Sequence, residues 1–103
     1  MSVISRLILV QPDTLLSESL RFGFEREGVA VAACGPDESF DPSLFAEPAE
    51  LVIAGGRTGD EARAVLSLVR GVLASVSRQP PVLYVGNGIA RAQAIAEGAA
   101  EVL

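Results

Sequence analysis

The stretch Glu50-Leu-Val-Ile-Ala-Gly-Gly-Arg-Thr-Gly59 limits the choice of fold more than any other: an uninterrupted apolar run, Leu51 to Ala54, ends abruptly in a glycine-rich turn. A strand with no polar alternation has to be covered on both faces, as in parallel sheets flanked by helices. In such open sheets, ligands and chemistry gather at the carboxyl end of a central strand. Here that tip carries only Ala54, Gly55 and Gly56, with no Asp, Glu, Ser, Cys or His.

The rest of the chain repeats the alternation of apolar run and amphipathic helix. Arg6-Leu-Ile-Leu-Val10, extendable back to Val3, is stopped by Gln11-Pro12. Asp13 is placed to cap a helix running to about Glu27 and ending at Gly28, a left-handed C-terminal position. Leu16, Leu20 and Phe24 form its buried stripe, whereas Leu15 and Phe22 fall on another side, either as ordinary packing or as an apolar contact patch. Gly23 within this helix costs roughly 1 kcal/mol relative to Ala and permits close approach of another segment. Val29 to Cys34 is the second strand. Pro36, Pro42 and Pro48 then leave room for no more than a short helix around Ser43 to Glu47.

After the Leu51 to Ala54 strand, Thr58-Gly-Asp-Glu61 has the form of a capping box. Ala62, Val65, Leu66, Val69, Val72, Leu73 and Val76 keep one helical face over about five turns, and Ser77 to Gln79 closes the helix. Val82 to Val85 is a fourth strand, Gly86-Asn-Gly88 a turn, Ile89 to Glu97 a short helix ended by Gly98, and Ala100 to Leu103 a fifth strand. The β-α-β-α-β-α-β-α-β order with right-handed crossovers gives a doubly wound parallel sheet. One domain spanning residues 1–103 is expected.

Residue usage excludes several functions. The chain has no His, and all eight basic residues are Arg, so the commonest general base, a lysine Schiff base and a Walker lysine are all missing. Cys34 is the single cysteine, read as a small buried residue near the end of the second strand, and a Cys-based zinc site is excluded. A net charge of −5, with Asp37, Glu38, Asp41, Glu47 and Glu50 bunched together, argues against nucleic-acid binding. No apolar run approaches the roughly 20 residues of a membrane span, and no signal peptide opens the chain, so a cytoplasmic, non-enzymatic protein without cofactor or metal is expected.

One ligand site stays open on these residues. Gly55, Gly56, Arg57, Thr58 and Gly59 could cradle a phosphate or nucleotide with backbone amides at the mouth of the Thr58-capped helix, Arg57 supplying the counter-charge. Gly86-Asn-Gly88 would stand beside them, leaving a pocket between the two turns. Neither a Walker nor a dinucleotide spacing is present. Tyr84 reads as core.

Taken together, Arg6-Leu-Ile-Leu-Val-Gln-Pro-Asp-Thr-Leu-Leu-Ser-Glu-Ser-Leu20, Phe24 to Val29, Ala49-Glu-Leu-Val-Ile-Ala54, Pro81-Val-Leu-Tyr-Val85 and Ala94 to Leu103 resemble the receiver domains of bacterial two-component response regulators. The resemblance covers nearly the whole chain. It implies the receiver (CheY-like) topology, strand order 2-1-3-4-5, with the fifth helix missing. It also implies where the family's chemistry would fall. The Mg²⁺-holding acidic pair lands on Gln11 and Pro12, the phosphoacceptor Asp on Gly55 and the Ser/Thr switch on Gly86; the pairing Lys would lie just past Leu103. Gly55 removes the nucleophile, and a neutral amide beside a proline is a poor substitute for carboxylate ligands of Mg²⁺.

The resemblance therefore implies a non-phosphorylatable receiver-like module in signalling or transcription regulation, acting on a protein partner or on itself as a homodimer. Such modules stand ahead of DNA-binding outputs or ATPases, the pilus-assembly localisation ATPases included, and no output segment is present here. In the family, the face around the fourth helix and fifth strand is a docking face; its residues here are Arg91, Ala94, Ile95, Val102 and Leu103. With no fifth helix that face is open, to be covered either by further chain or by a partner.

Overall fold

The computed structural model describes residues 4–37, 40–86 and 88–103; Val3, Glu38 and Asn87, named above, lie outside them. Five strands, β1 (Arg6–Val10), β2 (Ala30–Cys34), β3 (Leu51–Ala54), β4 (Val82–Tyr84) and β5 (Glu101–Val102), form one sheet in the order β2-β1-β3-β4-β5. Every pairing is parallel. Three α-helices, α1 (Thr14–Arg26), α2 (Gly59–Leu73) and α3 (Arg91–Ala96), connect them, and a 3₁₀ turn spans Pro42–Phe45.

Alternation along each strand divides the apolar side chains between two faces. Ile8, Val10, Val52, Ala54, Val82 and Tyr84 pack with Ala62, Val65, Leu66, Val69 and Leu73 of α2, Ala94 of α3 and Phe40. Leu7, Leu9 and Ile53 pack on the opposite face with Leu20 and Phe24 of α1, and with the half-buried Leu83 and Val85. The first face thus receives two helices and the 3₁₀ turn. Among the described residues the second receives only α1.

Both helix caps form as their sequences dictate. Asp13 Oδ1 accepts from the amides of Leu15 and Leu16 at 3.1 and 3.2 Å, and Thr58 Oγ1 accepts from Glu61 N at 3.2 Å. Gly28 and Gly98, the residues that stop α1 and α3, have φ of 83° and 114°. A side chain would be strained at either place.

Several expectations change at element ends. The short helix expected around Ser43 to Glu47 is a 3₁₀ turn set slightly earlier, at Pro42–Phe45, because Pro42 starts it and Asp41 accepts from Ser43 N at 2.7 Å, fixing a tight local turn. Pro48 soon follows. The α2 helix stops at Leu73, earlier than Ser77, since Ser75 Oγ donates to Val72 O at 2.8 Å and the backbone tightens to Ser75 N–Val72 O and Val76 N–Leu73 O bonds. A serine hydroxyl competing for a helix carbonyl has this effect. The α3 helix begins at Arg91, two residues after Ile89, with Ala90 at its N-cap and no side-chain cap bond.

Burial also departs from the pattern in places. Leu16, expected on the buried stripe of α1, is 37% exposed, while Leu15 and Phe22 are open at 82% and 65%. Cys34 is only half-buried at the sheet edge, its thiol donating to Leu9 O at 3.6 Å. Phe40, in the least regular part of the sequence, is buried and meets Phe45 edge-to-face with ring centroids 6.0 Å apart. Among the described residues nothing lies within 4 Å of a methyl group built on Gly23, so none of them makes the close approach it permits.

Leu66 is 1% exposed in the main core. Leu66→Ala is expected to destabilise the protein by about 2–5 kcal/mol, the usual cost of a deleted core leucine with the cavity it leaves. A lower denaturant midpoint at unchanged slope would show it; an unchanged midpoint would contradict this packing.

Candidate functional site

The register brings the carboxyl ends of β1, β3 and β4 level. Val10 stands beside Ala54, and Ala54 beside Tyr84, so Gln11, Gly55 and Val85 follow side by side. Gly55 N donates to Val10 O at 3.0 Å and Val85 N to Ala54 O at 2.8 Å, carrying the ladder one residue beyond the strands. This is the crevice in which an open parallel sheet places its ligands.

It is filled by the protein itself. Gln11 is 4% exposed, and its carboxamide lies over Gly55. A methyl group on Gly55 would overlap Gln11 Nε2, lie 2.9 Å from Gln11 Cδ and 2.7 Å from Val85 O. Gln11 Oε1 accepts from Asp13 N at 3.2 Å, which fixes the orientation of the amide, and its Nε2 finds no acceptor among the described residues. Pro12, next in sequence, is half-buried and adds no side-chain ligand.

The described residues of the two glycine turns touch. A Cβ on Gly86 would sit 2.5 Å from Gly56 O, one on Gly59 2.6 Å from Gly88 O, and one on Gly56 2.7 Å from Ala62 N. Tyr84, fully buried as expected, adds its hydroxyl, which donates to Gly56 O at 3.3 Å. Burial is the main reason its phenol is pushed above the ordinary value, with the Glu61 charge second; the Gly56 bond opposes both.

Arg57 is not held in reserve for an anion. Its guanidinium meets Glu61 through Nε at 3.1 Å and Nη2 at 2.7 Å, and its backbone amide donates to Glu61 Oε1 at 2.8 Å. Glu61 does reach back as a capping box requires, but chiefly to Arg57. The side-chain hydrogen bond from Arg57 leads the causes that bring its carboxyl down from 4.5 to about 2. The signal was present in the sequence: an Arg and a Glu four residues apart at a helix start are neighbours. Among the described residues no group of three or more His, Cys, Asp or Glu side chains could hold a metal ion.

The face formed by α3 and β5 is more varied than its sequence suggests. Ala94 is buried in the core and lines no surface. Ile95 is 40% and Leu103 76% exposed, and Val102 is half-buried. Arg91 reaches across to Glu101, Nε to Oε1 at 2.9 Å, tying the helix to the last strand.

No protein-family model matches the sequence, and no curated protein is similar enough to match it. Solved structures do match. A response regulator receiver protein from Pseudomonas putida aligns over 100% of this chain and 87% of its own, with a TM-score of 0.71 at 16% identity. An atypical orphan response regulator, described as revealing a phosphorylation-independent regulatory mechanism, aligns over 95% of this chain and 79% of its own at TM-score 0.70 and 18% identity. HP1043, an orphan response regulator of H. pylori, aligns over 96% and 80% at TM-score 0.63 and 15% identity. The fold is that of receiver domains, with the strand order expected and three α-helices.

The Glu61 contribution has a defined pH window. A carboxyl whose folded value is depressed stabilises fully above its unfolded value, and that stability is lost as pH falls through the folded value. Glu61→Gln is therefore expected to lower Tm most near neutral pH, with the gap to wild type closing between about 4.5 and about 2. A gap independent of pH, measured by thermal melts across that range, would contradict the Arg57–Glu61 assignment.

Proposed function

We propose that this domain is a receiver-type signalling module that works through protein contact and without aspartyl phosphorylation. The observation that carries the reading is the pairing at the strand tips: position 55 is a glycine, and the space a carboxylate there would use is taken by Gln11. Aspartyl phosphorylation needs a carboxylate nucleophile, which no substitution of geometry can replace. The acidic pair, the acceptor and the switch hydroxyl of the receiver family correspond, in this reading, to Gln11 with Pro12, Gly55 and Gly86.

What remains available is surface. Leu15, Phe22, Ile95 and Leu103 are exposed apolar side chains in an otherwise acidic chain of net charge −5. The contact is self-association or docking to another protein through the α3–β5 side, where Ile95, Val102 and Leu103 lie beside the Arg91–Glu101 pair. The module acts in the cytoplasm and upstream of an output unit, without touching nucleic acid itself. No helix among the described residues is long and apolar enough to cross a membrane. The nucleotide- or anion-binding alternative has less support, because the glycine turns pack on one another and Arg57 is neutralised by Glu61.

Titration with Mg²⁺ and beryllofluoride, followed by amide chemical shifts, tests the reading. No saturable shift is expected at Gly55, Gly56 or Gly86. Tight, saturable shifts confined to those amides would contradict it.

A further inference from the structure

We infer that the Gln11 carboxamide is a built-in plug: it fills from within the chain the space at the tips of β1 and β3 that a side chain on residue 55 would need, and thereby holds that end of the sheet in one arrangement. The inference concerns how the strand tips are kept, and it stands whether or not the domain's output is a protein contact.

Three observations carry it. First, a side chain as polar as glutamine is 4% exposed directly after a strand whose Leu7, Ile8, Leu9 and Val10 pack apolar cores. Such burial requires compensation. Second, the compensation is only half made: Oε1 has the Asp13 amide, while Nε2 has no acceptor among the described residues. The Asp13 bond alone does not account for burying a whole carboxamide, so packing against Gly55 shares in holding it there. Third, the volume it occupies coincides with the Cβ position of Gly55, the residue level with it on the neighbouring strand. Glutamine and glycine are therefore a size-complementary pair across the β1–β3 ladder.

The plug is tied at both ends. Its backbone amide donates to Cys34 O at 3.1 Å, joining it to the edge strand β2. Its Oε1 holds Asp13, the residue that caps α1. Withdrawing the side chain would loosen the α1 cap and the Gly55–Gly56 turn together, and would leave the opposite end of the sheet, where Val52 N donates to Pro81 O, as it was.

A double-mutant cycle tests this. Gly55→Ala is expected to lower Tm by at least about 4 °C when Gln11 is present. A measurable part of that loss should vanish in a Gln11→Ala background, while the part set by the Val85 backbone carbonyl, 2.7 Å from the same Cβ position, persists. Gln11→Met keeps the bulk but loses the Oε1 acceptor for Asp13 N, so it should be more stable than Gln11→Ala while remaining intolerant of Gly55→Ala. Equal losses from Gly55→Ala in both backgrounds, or a Met variant as unstable as the Ala variant, would overturn the proposal. Should Gly55→Ala fail to fold, amide exchange in Gln11→Ala alone decides: faster exchange at Asp13, Gly55 and Gly56 with Val52 unchanged is expected, and unchanged exchange at all four would overturn it.

Discussion

A parallel sheet must bury both of its faces, and the arrangement of this chain follows from that requirement. Strands with no polar alternation cannot turn one side to water, so each crossover has to deliver a helix to one face or the other. The face that carries α2 and α3 is closed, and Phe40 and the 3₁₀ turn complete it. The face that carries α1 alone leaves Leu83 and Val85 half-buried beside the core residues Leu7, Leu9 and Ile53. Exposed apolar side chains accordingly stand on the flank of α1, at Leu15 and Phe22, and at the α3–β5 end, at Ile95 and Leu103.

The strand tips obey a different constraint, that of close backbone approach. Gly56, Gly59, Gly86 and Gly88 bring two turns together at distances no Cβ would allow, and Tyr84 ties them from below through Gly56 O. In a ligand-binding sheet the same crevice is kept open by polar groups awaiting a partner. Here the space belongs to Gln11, and the nearby Arg57 guanidinium is paired with Glu61.

Much of this was legible in the residues because the signals are local. Asp13 and Thr58 cap helices through atoms two and three residues away, and the stripe from Ala62 to Leu73 needs only a helical period to be seen. Gly28 and Gly98 stop helices for reasons written in their own backbone freedom. The strand order, by contrast, entered through a resemblance to receiver domains and not from periodicity. Phe40 was illegible because its burial depends on meeting Phe45 across a proline-rich segment. The plug was illegible for a stricter reason: Gln11 and Gly55 are 44 positions apart and become neighbours only through the β1–β3 register. The Arg57–Glu61 pair lay within reach of a helical spacing argument, but the turn's glycines suggested a free cation.

The central claim is that a receiver fold is maintained here without phosphoryl chemistry. Intact-mass measurement of the wild-type protein after incubation with acetyl phosphate and Mg²⁺ tests it most directly. The account predicts an unchanged mass; an acid-stable, hydroxylamine-labile gain of one phosphoryl group on this chain would contradict it.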